Sequence, residues 1–209
     1  MVFRYDIINH LIKKNKYETY CEIGVESGES INAVECKNKD GVDPASDHAT
    51  FKMTSDEFFS KLPEDIKYDI IFIDGLHVED QVDRDIQNSL NHLSENGIIV
   101  VHDCNPPTEW HQRSHTEAMK NQCRQWNGTV WRSIAKLVAN REDLVINVVN
   151  DDWGCGLIQK KKDSPSDGMY YSEMKEVKKL PENFDYAYLE ENRENVLNLI
   201  SVELFFILY

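Results

Sequence analysis

Four polar clusters interrupt apolar runs where they could do chemistry. The first is Glu22-Ile23-Gly24-Val25-Glu26-Ser27-Gly28-Glu29-Ser30. Glycines at a strand-to-helix turn let a ligand approach the backbone, and the helix that follows offers unpaired N–H groups. The G-x-x-x-G spacing is not the dinucleotide fingerprint G-x-G-x-x-G, and it also suits an ordinary turn. The second is Asp43, 19 residues after Gly24, where a carboxylate can accept hydrogen bonds from a ribose diol. The plain alternative is a turn aspartate ahead of Pro44. The third and fourth are Asp74-Gly75-Leu76-His77 and His102-Asp103-Cys104-Asn105. If their strands are neighbours, Asp74 and Asp103 can share Mg²⁺ or another divalent cation. His77 or His102 would then be a ligand or a general base. Taken singly, each histidine reads more readily as a surface residue or helix cap. The acid pair carries more weight, because two acids ending apolar strands are costly to bury without a task.

The elements that must position these clusters follow from hydrophobic spacing. Ile7, Ile8, Leu11 and Ile12 predict a helix over 5–14. Strands are expected at Tyr20–Val25, up to Gly41–Pro44, at Phe51–Met53, at Tyr68–Asp74 and at Ile98–Val101 after an Asn96-Gly97 stop. Tyr68–Asp74 is nearly all apolar, as a strand covered on both faces would be. Helices are expected at Ser30–Val34, at Asp56–Leu62 with Ser55 as cap, over Val78–Leu93, and over Trp131–Val138. Leu144–Val149 and Cys155–Gln159 read as a hairpin, and Val196, Ile200, Leu204 and Ile207 as a final amphipathic helix. Alternating strands and helices predict an α/β fold, a doubly wound, mostly parallel sheet with an antiparallel edge hairpin. Ligands of such sheets bind beyond the carboxyl ends of the strands. Residues 1–160 are read as the main domain and 161–209 as a C-terminal loop and helix packing on it. Residues 105–128, with His111 and His115 but no H-E-x-x-H glutamate, read as a polar lid, and Trp110 and Trp153 are expected at the cleft rim.

Composition narrows the classes. The 209 residues carry 23 Lys and Arg against 37 Asp and Glu, a net charge of −14. That balance disfavours nucleic acid, whose binding rests on basic residues neutralising phosphates. With 41% hydrophobic residues a packed core is expected. No apolar run suits a membrane span, and the first 20 residues lack a signal-peptide h-region. Five cysteines, an odd number with no C-x-x-C pair, argue against a disulfide framework or zinc knuckle. A cytoplasmic location is expected. The apolar tail LFFILY would pack on its own core or mediate a homo-oligomer.

With these clusters assembled, the chain resembles a class I S-adenosylmethionine-dependent methyltransferase, nearest the macrocin O-methyltransferase-like group. The resemblance covers about residues 18–160 and rests on YCEIGVESGES (20–30), GVDP (41–44), MTSDEFF (53–59), YDIIFIDGLHVEDQVDRDI (68–86) and GIIVVHDCNPP (97–107). It implies a Rossmann-like seven-stranded sheet. It further implies that Glu22, Gly24 and Gly28 shape the methionine end of the cofactor pocket, that Asp43 holds the ribose, that Ser55 and Asp56 lie beside the adenine, and that Asp74 sits near the reacting end. In metal-dependent relatives an acid matching Asp74 and a pair after the next strand bind Mg²⁺. Here that pair is His102-Asp103, or Asp103-Cys104 in the other register, and either way one acidic or amide ligand is missing. The activity implied is O-methylation of a small molecule such as a sugar or glycosylated metabolite, with Asp74, His77, His102 and Asp103 at the reacting centre. Two alternatives stand beside it: an NAD(P)-binding Rossmann oxidoreductase and a non-catalytic nucleoside-binding protein.

Overall fold

A computed structural model describes residues 1–120, 125–161 and 180–209. Helix α1 (Arg4–Asn15) leads into strand β1 (Thr19–Ile23), helix α2 (Glu29–Ala33) and strand β2 (Asn38–Val42). Helix α3 (Ser55–Lys61), strand β3 (Tyr68–Ile73), helix α4 (Glu79–Asn91) and strand β4 (Leu93–Val101) follow. A 3₁₀ turn (Glu109–Gln112) and the short helix α5 (His115–Lys120) precede helix α6 (Val130–Asn140), strand β5 (Leu144–Val149) and strand β6 (Cys155–Lys160). The chain ends in helix α7 (Tyr186–Val196), strand β7 (Leu199–Ile200) and helix α8 (Val202–Leu208).

The strands form one seven-stranded sheet in the order β2-β1-β3-β4-β6-β5-β7. β1 to β4 run parallel, while β6 lies antiparallel between β4 and β5. This is the expected α/β architecture. The period-two geometry of a strand explains the unbroken apolar runs. Ile71 and Ile73 of β3, with Ile99 and Val101 of β4, pack against Phe58, Ile86, Trp131 and Ile134. Their neighbours Ile70, Phe72, Ile98 and Val100 pack on the other side against Ile7, Leu11, Ile31 and Phe205. Both faces of the central strands are therefore core.

Four expectations need correcting. Phe51–Met53 is not a strand: Phe51 makes a single bridge to Val42. Thr54 starts the next helix at once and leaves no room for a ladder. The cap of α3 is Thr54 rather than Ser55; its hydroxyl accepts from the Glu57 N–H at 3.2 Å and its own N–H donates back to the Glu57 carboxylate, a capping box. Asn96-Gly97 does not precede β4 but lies inside it. Pairing jumps from Tyr68↔Leu93 to Ile70↔Ile98, and a Cβ at Gly97 would fall 2.8 Å from the Asp69 carbonyl oxygen, so the glycine allows an irregular close pairing.

The final helix is the fourth correction. Val196 ends α7, Ile200 lies in β7, and only Leu204 and Ile207 share α8. Asn198 breaks the run with a left-handed φ of 47°. Its side-chain amide donates to the Ile146 carbonyl at 2.7 Å and to Asn147 at 3.0 Å. Ser201 then caps α8 by accepting from the Leu204 N–H at 3.2 Å. The C-terminal segment thus supplies a sheet edge, with β7 parallel to β5, and the hairpin lies inside the sheet rather than at its edge. Phe205 is fully buried while Ile207 is exposed. Cys21, Cys36, Cys104 and Cys155 are free thiols; Cys123 and much of the loop expected over 160–185 lie outside the described residues. Among the described residues no helix is long and apolar enough to cross a membrane.

Candidate active site

The carboxyl ends of β1 to β4 open on one crevice of about 820 Å³, a size that suits a cofactor-sized ligand. Glu22, Gly24, Asp43, Ser55, Asp74, His77, His102 and Asp103 all line it. Gly28 and Asp56 do not. Gly28 caps α2 in a left-handed conformation, and a Cβ there would meet the His48 ring at 2.7 Å. Asp56 lies behind the lining, accepting from Gln81 at 3.2 Å and from Arg84 at 3.3 Å.

The first half of the crevice is built from backbone. Gly24 has φ 89°, and a Cβ would lie 2.2 Å from the Asp74 carbonyl oxygen, so both the conformation and the close approach of β1 and β3 demand glycine. The Gly24 N–H donates to the Val42 carbonyl at 2.9 Å. The Asp43 carboxylate accepts four backbone N–H bonds, from Val25 and Glu26 at 3.0 Å each, Ala45 at 2.7 Å and Ser46 at 2.9 Å. Partial burial opposes its ionisation, yet the N–H groups of Glu26, Ala45, Ser46 and Val25 hold it below the usual carboxylate range. Four bonds match the lone-pair capacity of a carboxylate. In this structure Asp43 therefore pins the β1 and β2 loops together; the capacity expected to go to a ribose diol is taken by the chain itself.

Glu22 points up from β1 beneath the same loop. It accepts a bond from the Tyr20 hydroxyl. Burial outweighs that bond and, with the nearby Asp74 charge, pushes the Glu22 carboxyl up to about 8. At neutral pH it is largely protonated.

The second half is built from side chains. His77 Nε2 and His102 Nδ1 each lie 3.2 Å from Asp74 Oδ1. His77 Nδ1 lies 2.9 Å from the Trp126 carbonyl oxygen and 3.2 Å from Asp103 Oδ2, while His102 Nδ1 is 3.4 Å from that same oxygen. The Asn127 amide donates to Asp103 Oδ1 at 2.7 Å. Burial works against the His77 cation, but Asp103 and Asp74 outweigh it and push the imidazole up to about 9. His102 is raised well above its ordinary value in the same way, by Asp74 and Asp103 against burial. Asp74 is driven far below the carboxylate range, the two imidazoles overcoming the cost of its burial.

Asp74, His102 and Asp103 each bring one ligand atom within 4.8 Å of the others. Their imidazole-to-carboxylate distances of 3.2 and 3.4 Å are near the roughly 3 Å separating adjacent ligands of one divalent ion bonded at about 2.0–2.4 Å. These residues fit such an ion. His102 Nδ1 either shares a proton with Asp74 or serves a metal, not both.

Several residues at this site gave no sequence signal. Arg4, at the start of α1, lines the crevice, as do Gln81, Asp85 and Trp126. Asp152 lies 3.5 Å from the buried His102 Nε2. Asp103, Asp152 and Trp153 have left-handed φ values of 61°, 43° and 64°. Strain of that kind in non-glycine residues collects at functional sites. Trp153 does sit at the rim as expected, and Trp126 stacks on His77 with ring centroids 5.1 Å apart. Trp110 does not line the crevice; the Arg113 guanidinium covers its ring at 3.6 Å.

Comparisons with known proteins agree with this geometry. A family model described as a methyltransferase domain matches residues 37–104. No curated protein matches. Among solved structures, the chain is similar to the S-adenosylhomocysteine-bound methyltransferase PaMTH1 of Podospora anserina, at TM-score 0.54 and 16% identity over 76% of this chain and 78% of that one. It is also similar to the O-methyltransferase TomG of Streptomyces achromogenes in complex with S-adenosylmethionine, at TM-score 0.52 and 13% identity over 76% and 80%. An O-methyltransferase of Bacillus cereus in complex with S-adenosylhomocysteine matches at TM-score 0.51 and 14% identity over 74% and 78%. Sheet order and structural matches converge: the chain has the Rossmann-like fold of these methyltransferases, and the family match falls on the part of it from β2 to the end of β4.

Proposed function

We propose that this chain transfers the methyl group of S-adenosylmethionine to a hydroxyl of a small molecule, the macrocin O-methyltransferase-like group being the nearest guide to the acceptor. The observation that supports this reading is the meeting, in one crevice, of the Gly24 turn, Asp43 and the Asp74–His77–His102–Asp103 cluster. The adenosine would lie toward Asp43, Ser55, Gln81 and Asp85, and the amino-acid tail across Gly24 and Glu22. That arrangement directs the sulfonium methyl toward Asp74, where positioning alone can supply several kcal/mol of the barrier reduction. A divalent ion held by Asp74, His102 and Asp103 would supply Lewis acidity that eases loss of the acceptor proton. His77, 3.2 Å from both Asp74 and Asp103, would orient these two carboxylates. Trp126 and Trp153 exclude water from the reacting end. Acceptor selection falls to the rim and residues 105–128, since loops vary on a fixed scaffold.

Calorimetry with ligand-free protein tests the reading. S-adenosylhomocysteine is expected to bind at micromolar levels and Asp43→Ala to weaken it. Stabilisation by NADH in a thermal-shift assay, without stabilisation by S-adenosylhomocysteine, would overturn it.

A further inference from the structure

Arg4 stands out because helix physics disfavours it. A cation in the first turn of a helix opposes the macrodipole, and α1 begins at this residue. Its side chain leaves the helix and reaches the crevice, where, among the described residues, it is the one lysine or arginine in the lining. Nε donates to Ser30 Oγ at 3.0 Å, one terminal nitrogen to Asp152 at 3.2 Å and the other to Glu29 at 3.1 Å. Nε is also 3.9 Å from Asp74 Oδ2. These bonds commit three of the five N–H groups of the guanidinium. The Arg4 and Val2 N–H groups bond to Asp152 and Asp151 at 2.7 Å each, so the β5–β6 turn fixes the start of α1 over the site.

The position of this cation along the crevice matters. The order β2-β1-β3 sets Asp43, Gly24 and Asp74 in a row, and Arg4 lies at the Asp74 end, its helix on one face of the sheet while the helices of Ser55 and Gln81 pack on the other. Glu22, Glu29 and Asp74 crowd the same end. Acids suit the ammonium and sulfonium of the cofactor, but they repel its carboxylate. A carboxylate placed there needs a cation, and a guanidinium with open N–H groups offers paired, charge-assisted hydrogen bonds.

We propose that Arg4 receives the α-carboxylate of the cofactor's amino-acid tail, tying α1 to cofactor binding. The inference rests on the S-adenosylmethionine reading above and adds a residue to it. Three ligands separate its parts in calorimetry: S-adenosylhomocysteine, its decarboxylated analogue, which keeps the ammonium, and 5′-methylthioadenosine, which lacks the whole tail. Arg4→Gln is expected to weaken S-adenosylhomocysteine about 10- to 100-fold and to leave the two ligands without a carboxylate unchanged. Arg4→Lys, which keeps the charge but not the fork, is expected to fall between, and it carries the test should Arg4→Gln fail to fold. Equal loss for all three ligands, or unchanged binding of S-adenosylhomocysteine, would overturn the role of Arg4 while leaving the cofactor reading standing. A wild-type protein that binds none of the three would overturn both.

Discussion

The two halves of the crevice are made differently. At the Gly24–Asp43 half the chain presents mostly its own backbone, and the anchoring carboxylate is 17 or 18 residues from the loop N–H groups of Glu26 and Val25 that it holds. At the Asp74–Asp103 half the contacts are between side chains, and the supports come from far along the chain. Asn127 stands 24 residues from Asp103, and Arg4 stands 148 from Asp152. Backbone geometry is hard to vary and suits a constant ligand. A side-chain cluster can change ligands one residue at a time, as His102 beside Asp103 illustrates.

The largest effect is expected from Gly24→Ala. With a Cβ 2.2 Å from a backbone oxygen and φ at 89°, the substitution should cost about 2–5 kcal/mol, read by denaturant unfolding. A fall under about 1 kcal/mol would mean the backbone half yields as readily as the side-chain half.

Glu22→Gln comes next and acts through pH. The folded protein holds the Glu22 proton up to about 8, well above the unfolded value near 4.3. The associated stability is present below that unfolded value and is lost as pH rises through about 8. The amide cannot ionise, so the variant should outlast wild type in thermal melts at pH 9, by a few kcal/mol at most, and match it at pH 4. Parallel melting curves at both pH values would show that Glu22 is ionised in the fold.

Asp43→Asn turns one acceptor oxygen into a donor facing backbone N–H groups. It should cost about 1–3 kcal/mol and weaken S-adenosylhomocysteine, while Mn²⁺ affinity, followed by electron paramagnetic resonance, stays unchanged. Loss of both ligands together would erase the distinction between the halves.

Asp152→Asn is the subtlest change. It removes the carboxylate behind His102 Nε2 and one of the charges beside Arg4, while leaving the three proposed metal ligands in place. Outer groups of this kind typically tune metal affinity by about 10- to 100-fold, and the lower end is expected here in the same Mn²⁺ titration. An unaltered affinity would detach Asp152 from the cluster.

Legibility in the sequence follows the same division. Strand β3 and helix α4 could be read because burial on two faces or on one stripe leaves a periodic signature. Phe51, Asn96-Gly97 and the C-terminal run misled because each depends on what lies beside it. Phe51 has only the edge of β2 to meet, Gly97 accommodates an irregular pairing with β3, and Asn198 finds partners in β5 that stop a helix the spacing alone would continue. At the site, Gly24, Asp43, Asp74 and Asp103 were visible because each follows an apolar strand. Gly28 and Asp56, each close to a helix start, do not line the crevice. Arg4 and Asp152 had no local signal at all.

Strands β1 to β4, the glycine turn and the acids at the strand ends were determined by sequence alone, because periodic burial and backbone sterics act over a few residues. Which of those acids meet, which histidines they lie against, and that an arginine from the first helix reaches them were decided only by the tertiary structure. Electrostatic contacts form between whatever groups the packed core brings within a few ångströms, and separation along the chain carries no record of that.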